Sequence, residues 1–211
     1  MMKKNKMNLQ EGGFLMSKRI ITINRMYGSG GRVIGKALAE KLGYDFYDKE
    51  LIEMAGREKQ IPVDQLARVD EKKPSQWRFS VDHEIQVTPE YYAIPMNDVL
   101  YELQRNIILS LGDKGNCVIV GRCANHILKD RTLSVFIHAP FDIRVRNVQA
   151  RTGREEKSAR KTVKRVDKER RAYYEFFTDK KWADLSQYDL CIDSSKFTDD
   201  QILEILAEAA I

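Results

Sequence analysis

The stretch Ile20–Gly43, IITINRMYGSGGRVIGKALAEKLG, decides the fold. RIITIN (Arg19–Asn24) is a short apolar run bounded by turn residues, the pattern of a buried parallel strand. From Val33 the apolar residues Ile34, Leu38 and Leu42 return every fourth position, with Ala37 beside them, and Gly43 closes the run. That is one helix face with its terminal glycine. Between strand and helix lies a glycine-rich turn. Glycines let successive backbone N–H groups curl inward, and the helix N-terminus adds partial positive charge, so such a turn suits phosphate. The motif alone equally describes a plain strand-to-helix connection.

The register of the loop matters. A literal search for the glycine–lysine phosphate motif finds GGRVIGKA, Gly30–Ala37. That register would put Val33 and Ile34 inside the loop and strip the helix of its first turn. Starting the loop after Asn24 instead puts Arg25 at the first glycine position, Gly30 at the second and Gly31 where lysine is expected. Arg32 and Val33 then fill the places of the hydroxyl residue. Expected phosphate contacts are Tyr27, Gly28, Ser29, Gly30, Gly31 and Arg32. Arg32 supplies the missing positive charge, and Ser29 is the nearby hydroxyl open to a metal.

Outward from the loop, strands alternate with helices. A short strand at Asp45–Tyr47 precedes a helix from about Lys49, and Pro62–Pro95 is irregular. A long helix ends at Gly112. NCVIVGRCA holds the clearest strand, and Leu133–Ala139 and Tyr188–Ser195 hold two more. Helices run from Phe141 to about Arg151, through the charged segment Glu155–Phe177, and through the last residues. This alternation predicts a parallel sheet with helices on both faces. Ligands of such sheets bind beyond the strand C-termini, where both the loop and Gly121-Arg122 fall.

The bulk numbers agree. The 211 residues are 43% hydrophobic with a formal net charge of +5, enough for one core and suited to anionic ligands. No run is long and apolar enough to span a membrane. Cys117, Cys123 and Cys191 form no disulfide framework, and cytoplasm is the expected location. Residues 1–15 are polar and aperiodic and read as a disordered tail from a mis-assigned start, with Met16 as the natural one. Residues 16–211 form one domain.

ITINRMYGSGGRVIGKALAEKLGYDFYDKELI, followed much later by CVIVGRCANHIL, resembles the cytidylate kinase-like group of P-loop nucleoside monophosphate kinases, from about Ile20 to the C-terminus. The resemblance implies a three-layer α/β P-loop core, a helical acceptor-binding region at about 50–110 and a lid at about 151–171. It implies transfer of the ATP γ-phosphoryl group to a nucleoside monophosphate, CMP or dCMP, with Mg²⁺. By resemblance Arg122 holds the acceptor's phosphate, and RVDKERRAYY brings Arg165, Asp167 and Arg170 to the same task. Asp167 is open to a base or to an arginine. Asp48 bounds the acceptor site at the end of the second strand, and Lys49 stands where relatives often have serine. Arg151 and Arg154 belong to the lid, within a segment Arg144–Lys181 that carries fourteen Lys/Arg against six Asp/Glu. Arg32, Arg122 and Arg170 are the expected catalytic cations.

Val120 stands where many relatives carry an acid. The three histidines lack metal-ligand spacing. Trp77, Phe79, Tyr91 and Tyr92 are open to base stacking, core packing or a dimer contact, which leaves a homo-oligomer open. Rival readings are a nucleotide-binding module with little catalysis and an RNA-binding protein. The second is disfavoured because the positive charges cluster beside a cleft without alternating aromatics.

Overall fold

The computed structural model describes residues 20–72 and 96–210. The expected aromatics at 77, 79, 91 and 92, the tail at 1–15 and His83 lie outside the described residues. The chain order is β1 (Ile20–Arg25), α1 (Gly31–Leu42), β2 (Asp45–Tyr47), α2 (Glu50–Lys59), α3 (Val63–Val69), α4 (Met96–Lys114), β3 (Cys117–Val120), α5 (Ala124–Leu128), β4 (Leu133–His138), α6 (Phe141–Thr152), α7 (Glu156–Thr178), β5 (Leu190–Asp193) and α8 (Asp199–Ala209).

The five strands are ordered β2-β3-β1-β4-β5, and every pairing is parallel. Side chains alternate between two apolar layers. Ile20, Cys117 and Ile119 pack with Leu51, Leu66, Leu103 and Ile108 from α2, α3 and α4. Ile21, Ile23, Val118, Val120, Val135 and Ile137 face Ile34 and Leu38 of α1 and Ile202 and Leu206 of α8. Burial on both faces explains why the strands read as unbroken apolar runs. The result is a three-layer α/β fold with β1, and the loop that follows it, at the centre.

Three expectations shift. Pro62–Pro95 was expected to be irregular, yet Val63–Val69 forms α3. Pro62 is set at its N-cap with φ −56, and Leu66 is the helix's one fully hidden residue, too little for a visible period. Helix α4 does not stop at Gly112 but runs to Lys114. Gly112 is there because a Cβ would meet Leu128 Cδ2 at 2.5 Å, and Gly115, with φ 71, follows the helix end. Strand β5 is shorter than read, because Ser194 and Ser195 turn away into hydrogen bonds with His138 O and Asp193.

Candidate active site

Helix α1 begins at Gly31, as the chosen register requires, so Val33 and Ile34 are helical. Gly28 and Gly30 have φ +85 and +82, which side chains rarely adopt. Gly28 is doubly constrained, because a Cβ would lie 2.6 Å from the carbonyl oxygen of Arg144. Gly30 caps α1 with no side-chain hydrogen bond, so the N–H groups of the first turn face the cleft.

Two loop residues depart from expectation. Ser29 is 1% exposed; its hydroxyl donates to Met26 O (2.8 Å) with Ile137 O at 3.0 Å, and its N–H donates to Met26 O. It offers neither phosphate nor metal a free group, because the turn uses it to tie β1 to β4. The Tyr27 N–H is likewise taken, by Asp167 Oδ1 at 2.7 Å.

Beyond the loop, the C-terminal ends of β1, β2 and β3 gather charge. Asp48 follows β2, its N–H held by the Glu50 carboxylate at the head of α2. It is buried and accepts from Arg122 Nη1 and Arg32 Nε, both at 2.5 Å. Arg122 also pairs with Asp70 (Nη2–Oδ2, 2.7 Å). Gly121, Arg122 and Cys123 all have positive φ, at 79, 50 and 56. Two consecutive non-glycine residues in that region store strain of roughly 1–2 kcal/mol each, tolerated because Arg122 is fixed by two carboxylates. Such strain collects at functional sites.

Arg25 donates to Glu71 through both terminal nitrogens, at 2.6 and 3.2 Å, and Arg170 Nε reaches the same carboxylate at 3.3 Å. Burial alone would raise the Asp48 carboxyl, but Arg122 and Arg25 hold it below the usual range. Glu71 behaves alike: burial pushes it up, and Arg25, Arg170 and Arg122 pull it well below. Burial and the neighbouring Arg25 bring Arg170 down to about 10, against the pull of Glu71 and Asp167, so it stays charged at neutral pH. Asp70 and Glu71 escaped sequence reading because they lie past α3 in a segment without periodicity.

These groups line a cavity of about 400 Å³ at the sheet's C-terminal edge. Tyr27, Gly28, Gly30, Gly31, Arg32, Asp48, Lys49, Arg122, Arg151 and Arg170 all border it, joined by Arg25, Asp70 and Glu71. Six cations face three carboxylates, leaving net positive charge for an anionic ligand.

Besides Ser29, three expected residues lie outside it. Arg165 is exposed and bonded to Glu169 one turn on, because its place on α7 faces solvent. Arg154 donates to Thr162 beyond the hairpin tip. Asp167 reaches back to the loop and to Arg144 (2.5 Å), so it orients an arginine, the second of its two readings. Arg144, missed within the charged segment, also donates to Tyr27 O and Ala139 O, bracing the loop from α6.

Helix α7 is docked: Val163 and Ala159 pack with Val145 and Val148, and Arg170 donates to Arg25 O. Three of its arginines are paired: Arg160 with Asp142 and Glu156, Arg165 with Glu169 and Arg170 with Glu71. Val120, where an acid was expected to matter, is fully buried against α1. Among the described residues no cluster of His, Cys, Asp or Glu could hold a metal, and no helix is long and apolar enough to cross a membrane. A second cavity, of about 610 Å³, lies away from the loop between Lys129, Lys180 and Tyr188 and contains none of these residues.

The family description "Cytidylate kinase-like family" matches residues 20–196. The chain belongs to the cytidylate kinase-like family. Its curated relatives include the cytidylate kinase of Methanosarcina barkeri, 30% identical over 203 residues, covering 90% of this chain and 94% of the relative. The cytidylate kinase of Methanopyrus kandleri is 25% identical over 193 residues, covering 90% and 92%. Among solved structures, an uncharacterised protein from Eubacterium ventriosum superposes with a TM-score of 0.67 at 30% identity, covering 90% of this chain and 97% of that one. Shikimate kinase from Bacteroides thetaiotaomicron shares the fold, with a TM-score of 0.53 at 17% identity and coverage of 90% and 96%. Family and fold together make the chain a P-loop kinase acting on nucleotides.

Proposed function

We propose that the protein transfers the γ-phosphoryl group of ATP to a nucleoside monophosphate, with CMP or dCMP as acceptor. The observation that carries this is the cavity itself. A glycine loop at a helix N-terminus opens into the same space as Arg25, Arg122 and Arg170, so donor and acceptor phosphates meet among fixed cations. The names of the archaeal relatives support the choice of base.

In this reading the first turn of α1 and the Gly28–Gly31 loop hold the donor's phosphates. Arg122, oriented by Asp48 and Asp70, faces the acceptor's phosphate, and Arg170 lies between. An acceptor phosphate oxygen forms the new bond to the γ-phosphorus as its bond to the β-bridging oxygen breaks, and ADP leaves. The cations spread the charge that develops on the transferring oxygens. The loop is an atypical phosphate cradle, without lysine, in which backbone N–H groups and arginines supply the positive field. Arg151, in the last turn of α6, borders the cavity and lies over the Tyr27 ring at 5.2 Å.

Mg²⁺ enters with the nucleotide in this chemistry. Ser29 is turned inward and every cleft carboxylate is engaged by arginine, so these residues do not fit a protein-held metal, and no step is assigned to one. Coupled ADP release with ATP and each common monophosphate tests the reading: CMP or dCMP should give the highest kcat/KM. No ADP release with any monophosphate would leave only a nucleotide-binding module, and release independent of every monophosphate would mean transfer to water.

A further inference from the structure

Two oddities of the loop, arginine at the first glycine position and glycine at the lysine position, are one structural fact. A Cβ on Gly31 would lie 2.6 Å from the Cβ of Arg25, closer than real Cβ atoms come. Residue 31 therefore has no room for a lysine while Arg25 stands behind it. From there the Arg25 side chain crosses the cavity floor to Gly121, where its guanidinium and the Glu71 carboxylate fill the space of any Cβ. Arg25 is 7% exposed. Its terminal nitrogens hold Glu71, and Nη2 lies 3.9 Å from Asp48. Its Nε is buried and has no acceptor among the described residues. Buried donors are nearly always paired, so an unpaired one on a side chain that borders the cavity marks a place where an oxygen belongs.

We propose that Arg25 does the work of the absent loop lysine, meeting the nucleotide's phosphate oxygens with a buried guanidinium that Glu71 holds in place as counter-ion. The inference rests on the kinase reading above and names the residue that carries its charge. Arg32, the obvious substitute from sequence, does not fill the role: its side chain is half exposed and committed to Asp48 at the cavity wall. A guanidinium suits the position because it presents several donors in one plane, so it can keep Glu71 and still bind phosphate.

The test restores the ordinary loop. ATP and inorganic tripolyphosphate are titrated by calorimetry into the wild type, Arg25→Met, Arg25→Gly, Arg25→Gly/Gly31→Lys and Arg25→Gly/Gly31→Ala, each shown folded by thermal melting. Arg25→Met keeps the packing stem and should bind both ligands about tenfold or more weakly, the scale of a lost charged hydrogen bond. The lysine pair should recover most of the affinity lost in Arg25→Gly, and the alanine pair should not. Wild-type affinity in Arg25→Met, or equal binding by the lysine and alanine pairs, overturns the proposal. If the wild type binds tripolyphosphate but phosphorylates no monophosphate, the kinase reading fails while the titrations still judge Arg25. A wild type that binds neither ligand overturns both.

Discussion

Replacing Asp48 with alanine should destabilise the fold far more than removing its exposed partner. Asp48 is buried and anchors Arg122 and Arg32, each at 2.5 Å. Breaking a buried ion pair by removing one partner costs about 3–5 kcal/mol, because the other charge is left in low dielectric. Arg122 keeps Asp70, so the lower end, about 3 kcal/mol, is expected. For a chain of this size that corresponds to a fall in Tm of about 6–12 °C. Arg32→Ala removes a half-exposed cation and should cost under about 1 kcal/mol. The same excess of cations that weakens Asp48→Ala should let inorganic phosphate stabilise it. At one fixed concentration phosphate should bind the variant more tightly and so raise its Tm more than the wild type's, by about 2.7 kcal/mol of stability where it reaches about a hundred times the variant's Kd. Calorimetric melts with and without phosphate measure both effects. Equal melting of Asp48→Ala and Arg32→Ala, or no extra response to phosphate, would refute the assignment of Asp48 as the hub of the cluster.

Gly30→Ala meets only an unfavourable φ and should cost about 1–2 kcal/mol, whereas Gly28→Ala also drives a Cβ into Arg144 O and should cost more; paired melts that reverse this order would contradict the loop geometry. The carboxyls of Asp48 and Glu71 are held below their ordinary range, so between their folded and unfolded values the unfolded chain binds more protons. Stability should therefore be level near neutrality and fall as pH drops below about 4, and Glu71→Gln should flatten that acid limb of a Tm–pH series. Asp167→Ala frees the Tyr27 N–H and unpairs Arg144, so amide exchange in α6 and α7 should quicken; unchanged exchange would mean that apolar packing alone docks the hairpin.

What the sequence discloses and hides follows from how local each signal is. The β1–loop–α1 unit is legible because alternating layers, glycines and a four-residue period all sit within one short stretch, and the structure reproduces it to within a residue. The register of the loop is legible for the same reason: Ile34 belongs to the buried helix face, and Val33, though exposed, lies in the same first turn. The partnership of Arg25 with Gly31 is hidden, since it depends on a Cβ–Cβ distance across the turn. Asp70 and Glu71 become site residues only when α3 folds back over the sheet edge, and nothing in their neighbourhood has a period. Arg144, Asp167 and Arg165 lie in one charge-rich segment, and only the packing of α6 against α7 separates the loop-bracing pair from the solvent-facing one.

Whether this cavity moves a phosphoryl group between two nucleotides can be read by following the label. ATP labelled in its γ-phosphoryl group is incubated with Mg²⁺, the protein and CMP, and the products are separated. Label should appear in CDP, in an amount equal to the ADP formed, and that transfer should be lost in Arg122→Ala while the fold persists. Label released only as inorganic phosphate, or retained wholly in ATP with CMP, dCMP and every other monophosphate, would contradict such transfer.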